Sequence, residues 1–258
     1  MRVVPVVARV SLGATLATAV LIFTAAFGRR FGFLTYPVGH TLFLAGTVVG
    51  IAAIALGFAW WIGRLVTKDT SGTRWGAIGL IGAIAVMAAP LHNLWLGFIE
   101  PPLVDITTDS EEPPAFAARL QQRTDATNPP AYDGQQKLFY DDEEMTRIEA
   151  QKRAYPEVKP LREMEPGSPT PVMVLYWHAF EVSKHMGWNV VAFDPKARTV
   201  EATEIDFWTG DTSDIAIRVR QAGMGARLDI RAKSRNGQTD AGRNAAIVKA
   251  YFKELLGK

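Results

Sequence analysis

The sequence predicts a membrane anchor of three transmembrane helices followed by an α+β domain, an antiparallel sheet of about four to five strands with helices on one face. Residues 10–27, 31–63 and 75–99 contain no Asp, Glu, Lys or Arg, and a bilayer core of ~30 Å needs roughly 20 apolar residues per spanning helix. Composition then changes: seven basic residues and Asp69 precede Glu100, whereas 21 basic and 25 acidic residues lie from Glu100 onward. Within that second part, apolar residues recur with helical and then strand periodicity. The expected division is 1–99 as anchor, 100–134 as extended connector and 135–258 as the α+β domain.

The mild acidity of the second part argues against a nucleic-acid surface, which needs clustered basic residues. The absence of cysteine excludes disulfides, thiolate metal sites and a cysteine nucleophile.

In the anchor, residues 31–36 read as an interfacial turn and Pro37 suits a first helical turn. Gly46 and Gly50 form a GxxxG pattern that Ala53 and Gly57 extend on the same face, where small residues let another helix approach closely. Its partner is a sister span, where Gly76, Gly79, Gly82 and Ala83 offer a similar surface, or a second protein, as a homo-oligomer or a membrane-protein partner. His92 and Asn93 sit late in the third span, within reach of interfacial water, and no carboxylate or basic residue lines a transport path. The first span resembles a secretory signal at Ala17-Thr18-Ala19, but its long apolar run is read as an uncleaved helix.

Basic residues of short loops are retained on the cytoplasmic side. Placing Arg2, Arg9, Arg64, Lys68 and Arg74 inside leaves only Arg29 and Arg30 outside, five against two. The expected topology has a cytoplasmic start and an extracytoplasmic, periplasmic domain on a bacterial inner membrane. Trp60, Trp61 and Trp75 then mark the inner interface, and Tyr36 and Trp95 the outer one.

In the domain, residues 119–134 read mostly as loop, and 143–152 as a short helix. Val172, Leu175, Ala179, Val182 and Met186 form one face of a helix that ends at Gly187. Four strand-like segments follow at 188–193, 198–208, 214–221 and 226–233. In the third, Ile215, Ile217 and Val219 alternate with Ala216, Arg218 and Arg220. In the fourth, Leu228, Ile230 and Ala232 alternate with Asp229, Arg231 and Lys233. That alternation predicts one buried face and one wet face. Residues 241–256 close as a helix with Ala245, Val248, Phe252 and Leu255 inward.

Several ordered segments, QKRAYP at 151–156, VEAT at 200–203, DIAIRV at 214–219, RLDIR at 227–231, SRNG at 234–237 and DAGRN at 240–244, together with DITTD at 105–109, resemble the family called domain of unknown function 1499. The resemblance covers roughly residues 100–258 and implies no reaction, since the family has none established. This chain has WTG at 208–210 where an aromatic-glycine-aromatic element is usual, and Thr239 where serine is usual.

Candidate chemistry concentrates at 231–244. Arg231, Arg235, Asp240 and Asn244 have two readings: an anion site of arginine forks at a helix N-terminus, or a structural corner in which Thr239 or Asp240 caps the final helix and Asn244 or Asp240 pairs with Arg231 or Arg235. Arg218 and Arg220 read as the wet face of a strand. His178, Glu181 and His185 fall within roughly 60° on one helix, but residues seven apart lie ~10 Å from each other, too far to share one metal ion. Trp177 and Trp208 read first as partly buried indoles, with exposed aromatics for a partner surface as the alternative. No catalytic constellation, cofactor fingerprint or phosphate loop is legible. The expected role is a non-enzymatic envelope protein binding a protein or lipid partner, with an accessory subunit of a membrane complex, or an anion-binding or enzymatic domain, as alternatives.

Overall fold

The computed structural model describes residues 3–117, 126–163 and 171–257. The chain divides into two compact units, Met1–Trp95 with Asp206–Gly210, and Leu96–Ile205 with Asp211–Lys258.

The first unit contains helices α1 (Val3–Arg30), α2 (Tyr36–Thr67) and α3 (Thr73–Ile99, whose last residues belong to the second unit), each long and apolar enough to cross a membrane. Pro37 lies in the first turn of α2, where its missing N–H has no intrahelical partner to lose. Gly46, Gly50, Ala53 and Gly57 are all buried. A Cβ on Gly46 would meet Ile22 and Leu21 of α1, one on Gly50 would meet Met87 of α3 and Thr18 of α1, and one on Gly57 would meet Leu80 of α3. The small-residue stripe is therefore used inside the chain, as the sister-span alternative expects. On α3, a Cβ on Gly79 would stand 2.9 Å from the Leu12 backbone nitrogen. Two hydroxyls add polar links: Ser11 Oγ donates to the Ala53 carbonyl at 3.1 Å and Thr15 Oγ1 to the Gly79 carbonyl at 2.8 Å. Trp60, expected at the inner interface, turns inward against Val4 and Ala8.

In the second unit the sheet has the order β1-β8-β7-β6-β5, all antiparallel, with β4 also pairing β8. The strands are β1 (Asp105–Thr107), β4 (Leu161–Glu163), β5 (Asn189–Asp194), β6 (Thr199–Ile205), β7 (Thr212–Ala222) and β8 (Gly225–Ser234). A separate hairpin joins β2 (Lys137–Tyr140) to β3 (Glu143–Thr146) through Asp141 and Asp142, both at positive φ as a tight two-residue turn requires. Helix α4 (Arg147–Ala154) follows at once, held by a capping box between Thr146 and Glu149. The helix expected over 143–152 is thus half strand, because residues 143–146 pair with 137–140. Part of the expected loop, residues 119–125, lies outside the described residues.

Helices α5 (Val172–His185) and α6 (Arg243–Leu255) cover one face of the sheet. Leu175, Ala179 and Val182 pack there with Ile215, Ile217, Val219, Leu228 and Ile230, and Tyr251 Oη donates to the Ala179 carbonyl at 2.9 Å, tying α6 to α5.

The other face corrects the sequence reading. Asp229, Arg231 and Lys233 are 0%, 2% and 5% exposed, and Ala216 is buried as well. Residues of the expected extended connector cover them. β1 pairs with β8, Phe116 packs on Ala216, and the carbonyls of Pro114, Pro130 and Ala131 accept bonds from Arg231 and Lys233. Alternation reports that two faces differ in chemistry; it does not report whether the polar one is wet.

Candidate functional site

Three polar clusters and a cleft lie along β8, and the backbone of β1 organises the first. Its Asp105 stands opposite Lys233 in the register, within reach of two cations from the same face of β8. Arg231 donates from Nε to Asp105 Oδ1 at 2.8 Å and from Nη2 to Oδ2 at 2.7 Å, a bidentate fork, while Lys233 Nζ donates to Oδ2 at 2.8 Å. The Arg231 guanidinium also lies 4.6 Å from the centre of the Phe116 ring and 5.4 Å from that of Tyr132. The group holds two cations and one carboxylate. Burial lowers the Lys233 pKa, with Asp105 opposing and the charges of Arg231 and Arg147 reinforcing the fall. Burial likewise pushes the Tyr132 hydroxyl up to about 12, helped by Asp105.

The second cluster lies further along the same face. Asp109 Oδ2 accepts from Arg227 at 2.7 Å and from Arg220, and Asp229 accepts from Arg227 Nε at 2.8 Å and from Arg218 at 3.3 Å. Glu112 closes the cluster by pairing with Arg220. Burial pushes the Asp109 carboxyl up, but N–H bonds from Glu112 and Glu111 and the charges of Arg227 and Arg220 outweigh it, leaving the pKa below the ordinary value. Arg218 and Arg220 are therefore paired with carboxylates rather than presented as a basic stripe.

The third cluster is the corner read from the sequence as 231–244. The structure places its four candidates in separate arrangements. Arg231 binds Asp105, and Arg235 Nε donates to Asp214 Oδ1 at 2.9 Å. Asp240 accepts from the backbone N–H groups of Gly242, the N-cap residue of α6, at 2.9 Å and of Asn244 at 3.0 Å, and desolvation raises its carboxyl to about 7 against those bonds. Asn244 is fully buried, donating to the Val104 carbonyl and Ser234 Oγ at 3.0 Å each and accepting from Ser213 Oγ at 2.8 Å. The expected pairing of Asn244 or Asp240 with Arg231 or Arg235 does not form, because upstream carboxylates and β-strand hydroxyls take those places. Arg243 is engaged by Glu204 and the Asp211 carbonyl, and burial lowers its pKa to about 10.

Beside these clusters opens a cleft of about 540 Å³. Pro102, Val104 and Leu138 give it apolar walls, and Arg147, Lys233 and Gln136 polar ones. Sequence reasoning missed Arg147, whose only signal was its place directly after the capping residue Thr146.

His178, Glu181 and His185 are exposed on α5, where His185 pairs with Glu254 of α6 at 2.9 Å. Among the described residues, no three His, Cys, Asp or Glu side chains are grouped to hold a metal ion. Trp177 is 48% exposed beside the exposed Met173 and Val174, and Trp208 is 38% exposed.

Comparison with curated proteins finds none that matches. A family model described as protein of unknown function (DUF1499) matches residues 105–255, from the first residue of β1 to the last of α6, and the chain belongs to that family.

Proposed function

We propose that this chain is a non-enzymatic envelope protein, anchored by three helices in a bacterial inner membrane, whose extracytoplasmic domain recognises a protein or lipid component. The observation that carries this reading is the use made of the domain's buried charges. Asp105, Asp109 and Asp229 are each held by two or three cations, which fastens the segment following α3 onto the sheet. Such groups serve rigidity, and a rigid scaffold carrying an open cleft and an exposed apolar patch on α5 suits recognition. The five-to-two distribution of basic residues supports the orientation.

An accessory-subunit role would need a helix face for a partner, and the GxxxG stripe that suggested one is occupied by α1 and α3.

The absence of native cysteine makes the orientation directly measurable. Cysteines placed at Met224, in the β7–β8 turn, and at Lys68, between α2 and α3, are labelled in intact cells with a membrane-impermeant maleimide. Labelling at 224 and protection at 68 are expected; the reverse pattern overturns the assignment. Photo-crosslinking from Met173 and Trp177 should then capture one reproducible partner, and a chain that crosslinks to nothing would refute recognition through that patch.

A further inference from the structure

We propose that the cleft between β8 and the start of α4 binds a small organic anion, a carboxylate or phosphate bearing a short apolar body, through Arg147 and Lys233. Such a site would serve whichever way the domain faces.

Arg147 is the first residue of α4 and half-buried at the cleft wall. Its backbone N–H donates to the Gln136 carbonyl at 3.0 Å, so the residue is fixed in place by its main chain. Its guanidinium has no hydrogen bond or ion pair among the described residues. This sets it apart from Arg218, Arg220, Arg227, Arg231 and Arg243, each of which is held by a carboxylate. A half-buried guanidinium facing a cleft has given up part of its hydration without a counter-charge in return, and an entering oxyanion supplies one.

Lys233 reinforces the point from the opposite side of the charge balance. The Arg147 charge is felt at Lys233, where it adds to the forces lowering the ammonium's pKa. The two cations repel across this region, and Asp105 is already shared between Lys233 and Arg231. An anion seated by Arg147 relieves that repulsion. On the rim, Lys137 is matched by Glu144 at 2.8 Å, and the lining then sets Arg147 and Lys233 against the one carboxylate of Asp133, so its cations outnumber its anions.

The cleft's volume fits a small organic molecule rather than a bare ion, whose typical sites occupy roughly 300–1,000 Å³. Pro102, Val104 and Leu138 provide the surface for an apolar body, and the side-chain amides of Gln136 and Gln238 can accept or donate at its polar end. A guanidinium's planar fork selects carboxylate or phosphate over halide. Both a soluble ester and a lipid headgroup carry such chemistry.

The test uses the full chain in nanodiscs of zwitterionic phosphatidylcholine, titrated by calorimetry with hexanoate, hexyl phosphate and dihexanoyl phosphatidic acid. Saturable binding of at least one probe is expected, weakened roughly tenfold or more in R147Q, in line with loss of a charge-assisted hydrogen bond. Because the Arg147 side chain has no partner among the described residues, R147Q should unfold at the wild-type temperature in the absence of probe. R153Q, which removes an exposed guanidinium on the same helix, should leave affinity unchanged. Tighter binding of dihexanoyl phosphatidic acid than of hexyl phosphate identifies a headgroup as the source, and the converse a soluble anion; both support the site. No saturable binding of any probe, or R147Q affinity within tenfold of wild type, overturns it. Neither failure touches the labelling or crosslinking results, so the recognition role and this site stand or fall separately.

Discussion

The helical unit and the α+β unit each bury a face that lacks large apolar side chains, and they do so with opposite chemistry. In the helices the buried stripe is Gly46, Gly50, Ala53 and Gly57, closed by direct approach of α1 and α3 and by the hydroxyls of Ser11 and Thr15 on backbone carbonyls. In the domain the buried face carries Asp229, Arg231 and Lys233, closed by Asp105 and Asp109 from the incoming segment. The difference follows from the solvent. Lipid offers no drive for apolar side chains to associate, so close packing and a few neutral hydrogen bonds hold the bundle. In the domain, charges can be buried because Asp105, Asp109 and Asp229 each meet two or three cations, which offsets part of the desolvation cost.

Breaking the charged closure should produce the largest effect. D105A leaves Arg231 and Lys233 buried without their counter-charge, and a loss of about 3–5 kcal/mol is expected from urea unfolding of the full chain in mild detergent. Breaking the small-residue closure should cost less. G79L drives a side chain into the α1 backbone, for an expected ~1–3 kcal/mol, read as a lowered midpoint of helix unfolding in increasing SDS. If the two regions differ as described, D105A should leave that SDS midpoint unchanged.

These variants also show where the sequence was readable. Strands β7 and β8 and helices α5 and α6 were legible because each carries its own periodicity, and β5 and β6 through β-branched residues set between turn signals. The closure of the polar face was not, since Asp105 and Arg231 lie 126 positions apart and no spacing rule connects them. β1 and β4 have three residues each, too few to show alternation. The β2–β3 hairpin did leave a trace, because the adjacent Asp141 and Asp142 favour a turn with positive φ. At the corner, the bonds from Gly242 and Asn244 to Asp240 are local, within four positions of it in sequence. The partners of Arg231 and Arg235 depended on tertiary structure, and so did the absence, among the described residues, of a side-chain partner for Arg147.

A pH series sharpens the electrostatic half of the comparison. The Asp109 pKa lies below its ordinary value of 3.8 in the folded chain. Its stabilisation is thus fully present above that value and is lost as pH falls through the lower folded pKa. Circular dichroism of D109N between about pH 5 and pH 2 should show a shallower acid decline than the wild type, with stability already reduced at neutral pH. The smallest effect is expected at the surface. R153Q removes exposed pairs with Asp141 and Glu143 and should change stability by less than about 1 kcal/mol, measured by the same urea titration.

The central claim is that residues 103–116 are part of the folded domain rather than a tether, and amide hydrogen exchange in the full chain tests it most directly. The Thr108 N–H donates to the Ile230 carbonyl at 3.0 Å and the Thr107 N–H to Gln151 Oε1 at 3.1 Å. Both amides are predicted to exchange as slowly as those of β7 and β8, opening only with the sheet. Exchange of Thr107 and Thr108 at the rate of an unstructured peptide would contradict the account.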